Sequence, residues 1–179
     1  MVRKFAIVKK YQDAGLQLPK RSTKQAAGYD IEAAVDFTVP SIWHQGLFKV
    51  LKTLALKRPL TQKQIQTSEK SLRPVLVPTG LKIYMNENEY LMIVSRSSGP
   101  LKRYLVLPNS IGIIDSDYVD NPNNEGELFI QMLNFGIRDV QIKKGDRIAQ
   151  GIFASYLTTD DDAEVQKAER KNGFGSTGE

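Results

Sequence analysis

Five short polar clusters interrupt an otherwise apolar, β-rich chain, and each carries groups suited to a charged ligand. Arg96, Ser97, Ser98 and Gly99 follow the apolar run EYLMIV and supply a guanidinium, two hydroxyls and approachable backbone N–H groups. A strand-to-helix turn of this kind suits an anion, because the first N–H groups of a helix lack internal partners. Arginine adds two-pronged phosphate geometry. The segment NSIGIIDSDY, from Asn109 to Tyr118, puts Asp115 after four apolar or small residues. A carboxylate at the edge of a core can act as a general base. Asp115-Ser116-Asp117 resembles the start of a calcium loop, but its twelfth position would be Gly126 where an acid is required. Gly28-Tyr29-Asp30 opens a strand. Gly145-Asp146-Arg147 forms a turn ahead of Gln150, with Asp146 and Arg147 expected to pair structurally. The tail combines Arg170, Ser176 and Thr177 with Phe174 set between Gly173 and Gly175. Taken singly, each cluster also reads as ordinary structure: a serine N-cap, a hairpin turn, a β-turn or a frayed terminus.

The composition removes several chemistries. There is no cysteine, which excludes disulfides, thiolate metal sites and cysteine nucleophiles. His44 is the single histidine, so a histidine-rich zinc site or a Ser–His–Asp triad is disfavoured. The first residues lack the apolar run of a signal peptide, and no stretch approaches the ~20 apolar residues of a membrane span. The expectation is a soluble cytoplasmic protein with no membrane partner, or one in the host-cell cytoplasm if the chain is viral. The net charge of +5 is unevenly placed, since residues 41–73 hold seven Lys or Arg against the single acid Glu69. Such a segment suits a polyanion or an acidic partner.

The elements that must position these residues are mostly strands. KFAIVKK, IEAAVDFTV, PVLVPTGLKIYM, EYLMIVS, YLVLP, IGIID, GELFIQMLNF and RIAQGIFASYL are short runs rich in Val, Ile, Leu, Phe and Tyr. Gly, Pro, Asn and Asp clusters separate them, which predicts an all-β sandwich or barrel. Residues 41–71 differ. Ile42, Leu47, Val50, Leu51, Leu54 and Ala55 recur at helical spacing with lysines between them. Ser41 is placed to cap this helix, Lys57-Arg58 before Pro59 to end it, and a second, polar helix is expected from Thr61 to Ser71. The chain therefore reads as one domain over 1–169, carrying a basic helical insertion at 41–73, followed by an arm at 170–179.

In order along the chain, the five clusters resemble the five motifs of the trimeric dUTP pyrophosphatases (dUTPases). AAGYDIEAA resembles that family's AGYDLYA segment, SRSSGP its PRSG segment, and NSIGIIDSDY its Asn-x-x-Gly-Val-Ile-Asp-x-Asp-Tyr segment. GDRIAQGIF follows its GDRIAQ segment almost letter for letter, and ERKNGFGSTGE resembles its glycine-rich tail. The resemblance implies a jelly-roll-type β-barrel with a short helix after the second motif. It further implies a homotrimer with three sites at subunit interfaces, and Mg²⁺-assisted hydrolysis of dUTP to dUMP and pyrophosphate.

The resemblance also implies roles. Asp115 would activate the water that attacks the α-phosphorus. Ser97 would contact the α-phosphate and bridging oxygen. Arg96, Ser98 and Gln150 would bind phosphate or bridge subunits. Asn109 would pair with the uracil edge, and Tyr118 would lie under the deoxyribose, where its face leaves no room for a 2′-hydroxyl. Phe174 and Gly175 would cover the base, with Arg170, Ser176 and Thr177 on the γ-phosphate. No direct metal ligand is implied, with Asp30 reaching the metal through water. The chain departs from the pattern at VDNPNNEGEL after Tyr118, where the family continues Arg-Gly, at Lys171-Asn172 in the tail, and in the basic insertion. A partner-binding or nucleic-acid-binding arm is one reading of the insertion, and a surface helix packed on the barrel is another. A deaminase of dCTP, which shares the fold, and a nucleotide-gated binding protein are the alternatives to pyrophosphate release.

Overall fold

The computed structural model describes residues 3–43 and 47–164. Eleven strands lie among them: β1 Lys4–Ile7, β2 Tyr29–Glu32, β3 Phe37–Val39, β4 Val75–Pro78, β5 Leu81–Tyr84, β6 Glu89–Ser95, β7 Leu105–Val106, β8 Ile111–Asp115, β9 Phe129–Asn134, β10 Val140–Ile142 and β11 Arg147–Ser155. All pair antiparallel, in the orders β1-β5, β10-β3, β2-β11-β6-β8 and β4-β9-β7. The expected β architecture is present, wrapped round one main core. The short strand β10, VQI, has no counterpart among the predicted runs, because three residues between charged neighbours carry too little alternation.

Alternation fixes which side of each strand faces inward. In the four-stranded sheet, Ile31, Ala149, Leu91 and Ile93 point into the core with Val77, Ile83, Ile130 and Met132 from other strands. Each of these side chains larger than alanine contributes about 1.5–3 kcal/mol by leaving water. The opposite face of the same sheet carries three rows set by the register. Asp30, Gln150, Val94 and Ile111 form the first, Ile152, Met92 and Ile113 the second, and Ala154, Tyr90 and Asp115 the third. Ile113 on that face is 53% exposed.

Three α-helices lie among the described residues: α1 Leu47–Ala55, α2 Gln62–Ser71 and α3 Ser98–Arg103. The insertion is a helical pair, as its periodicity predicts, but Ser41 does not cap α1. Its hydroxyl donates to the carbonyl of Gly136 and its N–H donates to Asp139 (2.8 Å), so Ser41 belongs to the barrel wall and α1 starts six residues later. Helix α1 ends on a left-handed Lys57 (φ 52°), with Lys57 N–H donating to Leu54 and Arg58 N–H to Thr53. This is the Schellman closure, made here by lysine in place of glycine. Thr61 and Gln64 form a reciprocal capping box at the start of α2. Only Val50 of α1 is buried; Phe48 (61%) and Leu54 (52%) stay exposed, so the apolar stripe is not consumed by packing on the barrel.

The lengthened segment after Tyr118 folds back on β5. Burial alone would lower the pKa of the Lys82 ammonium, but hydrogen bonds to Asp120 and Glu125 (both 2.6 Å) outweigh it and hold the pKa above the ordinary lysine value. Asp120 and Glu125 both have left-handed backbones, and Gly126 follows at φ 79°. A Cβ on Gly126 would stand 2.8 Å from the Tyr118 carbonyl oxygen. Replacing Gly126 with alanine is therefore expected to cost about 2–4 kcal/mol through backbone conformation and clash together. Urea unfolding at neutral pH measures this, and a midpoint equal to the parent's would show that the loop absorbs the Cβ.

Candidate active site

Sequence folds the first cluster into the edge of the four-stranded sheet. Asp30 lies in β2, directly opposite Gln150 on β11. It is buried, with its carboxylate held from three sides. Arg96 Nε donates to Oδ1 (2.9 Å), Arg147 Nη1 donates to Oδ2 (3.1 Å), and Ser22 Oγ donates to Oδ2 (2.8 Å). Burial pushes this carboxyl up, but the Ser22 hydroxyl and the two guanidiniums outweigh it and hold it below the ordinary aspartate value. Gly28 lies against Gln150: a Cβ there would sit 3.2 Å from the Gln150 amide, tighter than an ordinary contact.

The second cluster follows β6. Strand pairing ends at Ser95, and the chain turns through Arg96 and Ser97 into α3. Ser97 is exposed and has helical dihedrals, and its side chain makes no capping bond to α3. The N-cap reading of this serine is thus not what the fold uses. Arg96 is oriented by Asp30, with long Nη1 contacts to Ser98 Oγ (3.5 Å) and the Arg147 carbonyl (3.4 Å).

Asp146 and Arg147 do not pair with each other. Asp146 accepts from Arg103 (3.1 Å), while Arg147 turns to Asp30. Neighbouring residues at a strand start project to opposite sides, which separates the two. Arg147 and Ser22 are thus the residues around Asp30 that sequence reasoning missed. Arg147 was visible in the GDR turn but assigned the wrong partner. Ser22 carries no local signal.

Asn109 is exposed in the turn before β8, where Ser110 adopts φ 59°. Asp115 ends β8, paired opposite Tyr90. Tyr118 closes the 3-10 turn Ser116–Tyr118 and is 6% exposed. Its hydroxyl donates to the Glu127 carbonyl (3.1 Å) and accepts from Asn124 Nδ2 (2.7 Å). Within one chain the structure joins Asp30, Arg96, Ser98 and Gln150, but it does not bring Asp115 to them. The rows holding Gln150 and Asp115 are four residues apart along β6 and β11, roughly 13 Å at ordinary strand rise. Arg170, Phe174, Gly175, Ser176 and Thr177 lie outside the described residues.

Among the described residues no three histidines or acids converge on one point, and both Asp30 oxygens already accept hydrogen bonds. Such a site fits a divalent ion only as a companion of bound phosphate.

The charges around Asp30 give an acid signature. Its folded carboxyl is depressed, so its stabilisation is complete above about pH 4, the ordinary aspartate range, and is lost as pH falls through the lower folded value. Glu89, pulled down to about 2 by Arg3 against the opposing effect of burial, with Asn86 assisting, adds a contribution lost toward pH 2. The urea midpoint is expected to be flat from pH 8 to 5 and to fall between pH 4 and 2. Asp30→Asn should lower the neutral plateau by about 2 kcal/mol, less than for a fully buried pair because Arg147 is half in solvent. It should also flatten the acid limb, which the same titration measures.

Comparison with known proteins bears on this geometry. The dUTPase family model matches residues 64–178. A relative from Lactococcus lactis subsp. lactis (strain IL1403), named deoxyuridine 5′-triphosphate nucleotidohydrolase, is 44% identical over 179 residues, covering 99% of this chain and 98% of its own. Among solved structures, the dUTPase from Streptococcus mutans superposes with a TM-score of 0.68 at 38% identity, over 88% of this chain and 98% of that one. A mutant dUTPase of phage phi11 of S. aureus, described with a structural Mg(II) ion, shares the fold at a TM-score of 0.60 and 17% identity, over 95% of this chain and 98% of its own. With the family model spanning more than half of its length and so close a relative covering nearly all of it, the chain belongs to the dUTPase family.

Proposed function

We propose that the chain hydrolyses dUTP to dUMP and pyrophosphate, in a site assembled from more than one copy. The observation that carries the shared site is the outer face of the four-stranded sheet. It holds Gln150 and Asp30 at one end, in a row that closes on the exposed Ile111, Asp115 at the other end, and the apolar strip of half-buried Ile152 and Met92 with exposed Ile113 between them. Packing that strip around a threefold axis would cover the apolar side chains and bring Asp115 of one copy towards Arg96 and Ser97 of the next. A homotrimer is the assembly this reading requires.

In the reaction, Asp115 orients a water and accepts its proton as the oxygen attacks the α-phosphorus. A P–O bond forms to water, the bond to the bridging oxygen breaks, and pyrophosphate leaves with the electron pair. Arg96, with Ser97 and Ser98 beside it, meets the charge on the leaving group, so catalysis rests on position and on fixed cations. Asp30 keeps Arg96 aimed and takes no direct metal bond. Mg²⁺, where the nucleotide carries it, would neutralise charge on the phosphates, and Asp30 would reach it only through water. Asn109 pairs with the uracil edge, and Tyr118 lies under the sugar. On this reading Phe174 and Gly175 would meet the base, and Arg170, Ser176 and Thr177 the terminal phosphate. The cytoplasm, where a nucleotide pool is found, is the location this activity suits. Asp115→Asn is expected to keep dUTP affinity while lowering kcat by at least a hundredfold. Mixed assemblies of Asp115→Asn and Ser97→Ala chains should regain part of the activity that each lacks alone. Pyrophosphate release measures both, and mixtures no better than their components would sink the shared site.

The insertion carries a second reading. Its exposed Phe48, Leu51, Leu54 and Leu56 are interleaved with Lys49, Lys52, Lys57 and Arg58. Apolar anchors among cations fit an acidic protein partner better than a nucleic acid, whose backbone rewards charge alone. Because Ser41 belongs to the barrel, the excision that tests this spans residues 44–72, closed by a short glycine linker. Turnover should stay within twofold, while salt-sensitive retention on poly-glutamate should be lost. Retention equal to the parent's removes this reading.

A further inference from the structure

Tyr118 is tethered at both ends by the segment that follows it. Its carbonyl accepts from Asn121 Nδ2 (2.9 Å), and its hydroxyl accepts from Asn124 Nδ2 (2.7 Å) while donating to the Glu127 carbonyl (3.1 Å). The two asparagines are themselves fixed. Asn121 Oδ1 accepts the N–H groups of Asn123 and Asn124, and Asn124 Oδ1 accepts the N–H of Gly126 (3.1 Å). That last bond decides which end of the Asn124 amide faces the tyrosine, since Oδ1 is already taken. The segment is in turn clamped to β5 through Lys82, Asp120 and Glu125, and Tyr84 adds a bond to Asp120 (2.8 Å).

We infer that Asn124 is a positioning residue that holds the Tyr118 ring stiff and thereby sets discrimination between deoxyribose and ribose. The inference rests on the reading that Tyr118 lies under the sugar. A 2′-hydroxyl is a small addition, and a merely apolar surface rejects an added hydroxyl only weakly, because the surface can give way. Exclusion needs a ring that does not retreat by even a fraction of an ångström. A buried tyrosine whose hydroxyl is both donor and acceptor to fixed partners meets that need. The extra length of residues 119–126 then has a function, which is to bring Asn124 back to the ring that the same segment leaves.

The test is the ratio of kcat/KM for dUTP to that for UTP in Asn124→Ala, Tyr118→Phe, their double variant and Tyr118→Ala. Val77→Ala, a core truncation in β4, serves as stability control. Asn124→Ala should lower the ratio about five- to tenfold, chiefly by raising kcat/KM for UTP. Tyr118→Phe, which loses this tether together with the bond to the Glu127 carbonyl, should fall at least as far, and the double variant should fall no further than Tyr118→Phe, because the Asn124–Tyr118 bond is the one interaction the two changes share. Val77→Ala should lower the Tm and keep the ratio. A ratio within twofold of the parent for Asn124→Ala, additive losses in the double variant, or an equal fall in Val77→Ala each overturns the inference. If Asn124→Ala does not fold, Tyr118→Phe alone decides on the same twofold criterion. A ratio unchanged in Tyr118→Ala removes the sugar-site reading itself, and the positioning role with it.

Discussion

A buried carboxylate is costly unless its charge is answered, and at Asp30 the answer organises one end of the sheet. Three segments distant in sequence supply it: Ser22 from the stretch before β2, Arg96 from the turn after β6, and Arg147 from the start of β11. None of them reaches Asp30 unless β2, β11 and β6 are in register, so the ion cluster and the pairing of the strands enforce each other. Arg96 is thereby fixed in direction by the fold itself, the preorganisation that its proposed role at the phosphates calls for.

The other end of the sheet is arranged on a different principle. Asp115 stands at a strand end beside side chains that are apolar and half in solvent. An exposed apolar strip of this kind favours a covering surface, and on the proposed reading a second copy would cover it while adding the residues that the first copy places too far away. Assembly and catalysis are then aspects of one surface.

Much of this was legible in the sequence, and the rest failed for definable reasons. Strands such as EYLMIVS declared themselves by alternation, and α2 by Thr61 and Gln64, because those signals are local. Ser41 looked like a cap because serine before an amphipathic run usually is one, but its hydrogen-bond partners come from residues 136–139, invisible at short range. Asp146 and Arg147 are adjacent in sequence and were paired for that reason, whereas strand geometry sends them apart. The motifs located Asp30, Arg96, Ser98 and Gln150 together, since motif order stands in for long-range contact. The tether of Tyr118 by Asn124 had no such proxy: an asparagine in a long turn announces a turn, not what its amide will hold.

The insertion leaves the barrel at Ser41 and returns at Val75, and both of these residues meet the same strand, at Asn134 and Met132 of β9. Two residues of strand are roughly 7 Å. The chain between these roots therefore closes on itself like a stalk, and the cost of such closure rises only slowly with length. Asn134, fully buried and bonded to the carbonyls of Val39 and Arg138, ties the wall at the foot of the insertion. The barrel thus offers a graft point on the β4-β9-β7 sheet, set apart from the four-stranded sheet that carries Asp30, Gln150 and Asp115, so an appendage there can change in length without entering the pairing of that sheet.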